Sequence, residues 1–353
     1  MQPDGAGTFT LTATWQESPA QKDLQALVEP AKLDGVTAMA TGDTLTTTQR
    51  RTAEAIVNIF ETGTVLSDYG QVTLIPGDSG HLTFGRSQTT LSTGNLGRLL
   101  QQYVTNPGAR FGARLRDAAM RAQAIDLTLD TDPQAHNLLR ASADDPVMRD
   151  TQDRFFTQRY WQPALDAALQ RGIRTALGVA VVYDSYVHGS WAALRDQVDS
   201  ASGRATDLGE RAWIRAYVTA RRDWLAHHAR EDLRPTVYRM QAFERLIALD
   251  QWGLERPLRV RSQEISELTL NAIPPNCYDG PQPGSRVLAL QAPMTRGLDV
   301  RTLQLALSDR GADLRADGAF GQATAQQLRA FQQRAGLPPT GSADSQVWGR
   351  LLA

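Results

Sequence analysis

Cysteine is almost missing from this chain: Cys277 stands alone among 353 residues. A single thiol excludes an intrachain disulfide and any metal site built from several cysteines, so folding here does not depend on oxidation. Long apolar runs are missing as well. No stretch approaches the roughly 18–20 apolar residues that a membrane-spanning helix needs, and no membrane insertion is expected. Neither charge is in excess: 37 Lys plus Arg against 38 Asp plus Glu leave a formal net charge of −1, which gives no reason to expect nucleic acid as a partner. The five histidines show no zinc-helix spacing such as H-E-x-x-H, so no metal is expected. A phosphate loop, a dinucleotide fingerprint and an internal repeat are all lacking, and no cofactor is expected. The one G-x-S-like element, HGSW from His188 to Trp191, lacks the second glycine of a nucleophile elbow and reads as a helix end with a glycine stop.

What is present is the composition of a globular protein with a sizeable core, 41% hydrophobic and 21% charged. Most basic residues are arginine, which favours ion-paired networks in the interior. Composition and periodicity divide the chain into four parts. Residues 1–45 form an N-terminal appendage with a strand-like run at Thr8–Trp15. Residues 46–270 form one domain, beginning with a helical pattern that places Ala55, Ile56, Ile59 and Phe60 on one face, with Thr48 as a candidate cap. Further helical segments follow a single short hairpin, which predicts an α+β domain dominated by α. Residues 271–283 are rich in Pro and Gly and read as a linker. Residues 284–353 carry three amphipathic segments and predict a small helical bundle.

Chemistry points to the stretch between Asn58 and Arg86. Glu61 ends the first helix, and Asp78 lies 17 residues on, in a Gly-rich turn. The alternating segment between them predicts a hairpin that turns the two carboxylates towards one groove. Glycoside hydrolysis needs such a pair: a protonated carboxyl for the leaving oxygen and an ionised one for water or the sugar. Unsupported, two carboxylates are more often ordinary surface charge.

Two resemblances supply the context. The tail resembles the type 1 peptidoglycan-binding domain through LALQAP, Gly297 to Gln304, Asp317-Gly-Ala-Phe-Gly321-Gln-Ala-Thr324, Phe331-Gln332, Gly336-Leu337, Thr340-Gly341 and Trp348. It implies a three-helix module whose core takes Leu303, Leu307, Leu328, Phe331 and Trp348, with Gly318 and Gly321 in the turn before a helix started by Thr324. The stretch from about Thr48 to Leu258 resembles glycoside hydrolase family 46, the chitosanases, within the lysozyme-like superfamily. The helix ending at Glu61, the turn from Gly77 to Thr83, and the segments RYWQPALDAALQRG, ALGVAVVYDSYVHG and AYVTARRDWL carry the likeness. This resemblance implies Glu61 as general acid, Asp78 as general base and Thr83 as the group that holds the water. It implies inversion at the anomeric carbon, with the carboxyls about 6.5–9.5 Å apart. Asp184, Arg221 and Arg239 match the ionic network that supports the acid in this family.

Two positions depart from the family. Where chitosanases place acids to meet the amines of chitosan, alignment gives Asn95 and His228 here. Asn still bonds a neutral acetamido or hydroxyl group but loses the attraction to an ammonium. Together with the wall-binding tail, this leads to the expectation of a muramidase-like enzyme that cleaves β-1,4 bonds in the glycan strand of peptidoglycan. The alternatives are a chitosanase and a non-catalytic wall-binding protein. Tyr69 is a candidate for stacking on a sugar ring, while most aromatics at helical spacing belong to the core. The first residues lack the basic and apolar regions of a secretory signal. Action in the periplasm or cell wall is therefore expected to follow delivery by a phage lysis system or a secretion machine, with an immunity protein as a possible partner.

Overall fold

The computed structural model describes residues 45–352; the strand-like run at Thr8–Trp15 and the rest of the appendage lie outside them. Helix α1 (Thr47–Thr62) is capped by Thr46, not Thr48. Gln49 decides the register: its backbone N–H donates to the Thr46 hydroxyl at 3.1 Å while its side-chain oxygen accepts from the Thr46 N–H at 3.0 Å, a reciprocal box only Thr46 can close. Ala55, Ile56, Ile59 and Phe60 all point inward.

The hairpin expected between Glu61 and Asp78 is a three-stranded antiparallel sheet of two-residue strands, β1 (Val72–Thr73), β2 (Thr83–Phe84) and β3 (Thr89–Thr90). Asp78 sits in the loop joining β1 to β2, so one strand, not two, precedes it. Helices α2 (Asn95–Val104), α3 (Gly112–Gln123), α4 (Pro133–Ser142), α5 (Pro146–Phe156) and α6 (Gln162–Gln170) follow. A π-turn, Thr157–Trp161, joins α5 to α6 without a break. Next come α7 (Ala176–His188), α8 (Trp191–Ser202), the one-turn α9 (Ala205–Leu208), α10 (Glu210–Ala226) and α11 (Tyr238–Ala248). A second hairpin, β4 (Leu258–Val260) and β5 (Gln263–Ile265), and the short α12 (Glu267–Leu270) close the domain. The tail is the three-helix module α13 (Leu298–Ser308), α14 (Gln322–Arg334) and α15 (Ser345–Leu352).

The domain from residue 46 to 270 has two cores. One surrounds α7, buried from Ala176 to Ser185 because it is apolar on all sides, and takes in Phe60, Trp161, Trp213 and Phe243. The other holds Leu82, Phe84, Leu96, Leu115 and Met148 beneath the sheet. The run α5–π–α6 belongs to both, through Met148 in one and Phe156 and Trp161 in the other. Glu61 comes from the first core's helix and Asp78 from the loop between the first two strands over the second core.

The module has its own core of Leu303, Leu307, Phe320, Leu328, Phe331 and Trp348. Thr324 lies one turn inside α14, which Gly321 caps; its buried hydroxyl accepts from Gln304 Nε2 at 3.1 Å. The segment before α13 is docked on the larger domain, with Cys277 buried and the Tyr278 N–H donating to Asp144 Oδ1 at 2.8 Å. Arg301 of α13, 2% exposed, donates to the same oxygen at 2.9 Å and to the carbonyls of Arg140 and Asn276. Asn137 binds the module's backbone at Leu314 and Ala316, and Ala141, Leu305 and Ala316 close a small apolar contact beside it.

Candidate active site

Glu61 is the penultimate residue of α1, and Gly63 ends that helix in the left-handed conformation, φ 77°, with its N–H donating to the Ile59 carbonyl. The Tyr238 hydroxyl donates to the Phe60 carbonyl at 2.7 Å and satisfies another acceptor of the open helix end. The Glu61 side chain remains 43% exposed and takes a charged hydrogen bond from Arg239 Nη2. Behind it the charges alternate. Arg239 Nη1 donates to Asp184 Oδ1 at 2.6 Å, and Arg221 Nη1 donates to Asp184 Oδ2 at 2.5 Å. Asp184 and Arg221 are fully buried and Arg239 nearly so. Burial opposes the Arg239 charge, yet Asp184 and Glu61 outweigh it and hold the guanidinium above its ordinary value.

His188 terminates this chain of charges. Its Nδ1 lies 3.2 Å from Arg221 Nη2, and burial, with Arg239 and Arg221 nearby, pushes the imidazole down to about 4. At neutral pH it is uncharged, so Nδ1 accepts from Arg221. The sequence placed His188 only at a helix end. The missed signal is its spacing, four residues after Asp184 on α7, which puts both on one helical face.

Asp78 is exposed in the β1–β2 loop, after Gly77 at φ 80°. A side chain on Gly80 would put its Cβ 2.9 Å from Asp78 Oδ2, so glycine there keeps the carboxylate accessible. The loop is pinned by Asp130, whose carboxylate meets His81 Nδ1 at 2.8 Å and accepts the Leu82 N–H at 2.9 Å. Thr83, on β2, is buried, and its hydroxyl donates to Gln88 Oε1 at 2.9 Å.

Beside Glu61 lies a cavity of about 340 Å³ lined by Gln71, Arg86, Gln88, Phe156 and Tyr160 among others. Its wall includes the π-turn, a distortion that often marks functional sites because it redirects side chains out of helical register. Arg86 is held by Asp153 and Glu54 and by the faces of Tyr69 and Phe156. The Tyr69 ring thus faces a guanidinium, and its hydroxyl donates to Asp153 at 2.7 Å; burial drives that phenol well above its usual range. Asn95 begins α2 and lines a separate cavity of about 640 Å³ with Arg98, Gln101, Phe155 and Arg159. His228 lies in the turn after α10, edge-on to Trp224, with Nδ1 accepting the Arg230 N–H at 3.0 Å. The structure therefore brings Glu61, Arg239, Asp184 and Arg221 into one connected chain and places Tyr69, Asn95 and His228 outside the Glu61 cavity.

The profile of glycosyl hydrolase family 46 matches residues 55–258. The chain belongs to glycosyl hydrolase family 46. A second profile, a putative peptidoglycan binding domain, matches residues 296–351. Over 239 residues the chain is 28% identical to a chitosanase of Bacillus subtilis strain 168, which covers 63% of this chain and 85% of that protein. Among solved structures, a chitosanase co-crystallised with substrate aligns with 22% identity and a TM-score of 0.51, covering 64% of this chain and 99% of the other. The native chitosanase of Bacillus subtilis MY002 aligns with 26% identity and a TM-score of 0.48, covering 62% and 96%. The family 46 domain is thus a mainly helical glycoside hydrolase domain with a small antiparallel sheet, followed by the three-helix module. Its relatives favour the chitosanase alternative over the muramidase expectation.

Proposed function

We propose that this chain hydrolyses β-1,4 bonds of a chitosan-type amino-sugar polymer with inversion at the anomeric carbon. The observation that carries the reading is the unbroken chain from Glu61 through Arg239 and Asp184 to Arg221 at the edge of a cavity. Glu61 gives its proton to the glycosidic oxygen as the C1–O bond breaks. Asp78 takes a proton from the water that forms the new C1–O bond, and solvent returns that proton to Glu61. Arg239 stabilises the negative charge left on Glu61, and its own position is fixed by Asp184. Arg239 is thereby aimed at charge that develops during the reaction, where preorganisation lowers the barrier.

A second reading, cleavage of the peptidoglycan glycan strand, is favoured by the match of the tail to a peptidoglycan binding domain and by Asn95 and His228 where acids would attract amines. Incubation with chitosan and, separately, with purified sacculi discriminates the two. Chitosan oligomers with an inverted anomeric proton signal support the first reading, and new muramic acid or N-acetylglucosamine reducing ends support the second. In either case Glu61→Gln is expected to lower kcat by at least about 10²-fold while leaving retention on the insoluble polymer intact. Release from neither polymer would sink both readings and leave a binding protein.

A further inference from the structure

Gln88 lies in the turn between β2 and β3 with φ +44°, a left-handed conformation that glycine adopts freely and glutamine does not. Strain of this kind persists where the surroundings enforce it, and it clusters at functional sites. Here the enforcement is visible. The Gln88 backbone N–H donates to the Gly85 carbonyl at 3.0 Å, and Nε2 donates to the same carbonyl at 3.0 Å. That second bond fixes which way round the amide sits, because a carbonyl accepts only from the NH₂ end. Oε1 is left facing Thr83, whose hydroxyl lies 2.9 Å away. The other group near that hydroxyl, the Thr73 carbonyl at 3.3 Å, is also an acceptor. The Thr83 proton is therefore committed to the protein, and its oxygen lone pairs remain free. Gln88 also lines the cavity beside Glu61.

We propose that Gln88 is a positioning residue for the attacking water: it takes the Thr83 hydroxyl proton so that Thr83 offers the water an acceptor and never a donor. This rests on the reading of Asp78 as base and Thr83 as the water's holder. With one water proton directed to Thr83 and the other to Asp78, the lone pair on the water oxygen is left for C1. As that oxygen bonds C1, its proton passes to Asp78 while Glu61 protonates the departing oxygen. A Thr83 hydroxyl free to rotate would at times donate to the water and occupy the lone pair that must attack.

The test is Gln88→Gly in the full chain, since glycine removes the amide and relieves the left-handed strain, so that the fold is kept. On a soluble glucosamine hexamer, or on whichever polymer the wild type cleaves, kcat is expected to fall about tenfold with KM within about twofold and Tm unchanged or raised. In a Thr83→Ala background the same substitution is expected to change kcat by less than about twofold, because the two groups act as one unit. Full kcat in Gln88→Gly, or an equal loss in the Thr83→Ala background, would overturn the proposal. Failure of the underlying reading looks different: Thr83→Ala or Asp78→Asn would then turn over at the wild-type rate.

Discussion

Among the described residues Glu61 has one charged partner, and that partner, Arg239, leans on Asp184, which is shared with Arg221. Acidic and basic groups alternate from Glu61 to Arg221, and His188 closes the row uncharged. If the imidazole were protonated, a third cation would face Arg221 and Arg239 around a single buried carboxylate. Burial holds His188 well below its ordinary value, from 6.5 to about 4, so the folded state resists a proton that the unfolded chain accepts. This contribution is complete above pH 6.5 and is lost as pH falls towards 4. After allowance for the partial exposure of His188, about 2 kcal/mol of stability should disappear across that window. Urea unfolding midpoints measured at successive pH values, for wild type and His188→Gln, would check this. The glutamine keeps an acceptor for Arg221 without the titration, so its slope should be flatter; equal slopes would refute the assignment.

At the scale of elements, the end of α1 decides where the acid stands. Gly63 turns the chain away in the left-handed region, and nothing lies within 4 Å of where its side chain would be. Gly63→Ala therefore tests backbone strain alone, with an expected cost of about 1 kcal/mol read from the thermal unfolding midpoint. Because Glu61 sits two residues earlier, kcat should fall more than KM changes. The capping box is legible as Thr46-x-x-Gln49, whereas helical periodicity by itself points to Thr48. Asp184, Arg221 and Arg239 were reached through the family likeness, and they meet because α7, α10 and α11 pack around one core. What sequence could not supply was Gln88 at φ +44°, which depends on how β2 and β3 are joined, and the sheet order, since two-residue strands carry too little alternation to read. In the sequence Tyr69 is a stacking candidate because only aromatics at helical spacing are assigned to the core. Arg86, which occupies its face, becomes a neighbour only on folding.

For the whole molecule the decisive contact joins Asp144 to Arg301, 157 residues apart in sequence and invisible to any local pattern. Both are buried, and burial raises Asp144 to about 6 even though Arg301 works the other way. Removing Arg301 would leave that carboxylate without its charged partner, with the Tyr278 N–H still on Oδ1, and would take a donor from the carbonyls of Arg140 and Asn276. Arg301→Ala should cost about 3 kcal/mol and release the module from the hydrolase. Calorimetry should then show two separate transitions in place of one, and limited proteolysis should cut near residues 279–284. A single transition at the wild-type temperature would show that the contact does not couple the two parts.

The docked module also bears on transplantation. Binding modules on flexible tethers can be cut off and attached elsewhere, since no surface of theirs is missing a neighbour. A tail excised from this chain would carry away Leu305, Ala316 and the Arg301 guanidinium as a raw face fitted to one host. On a foreign enzyme that face would be sticky and poorly hydrated, and the hydrolase left behind would bear its complement at Asn137, Ala141 and Asp144. The two halves of this protein are matched parts and must be inherited, or engineered, together.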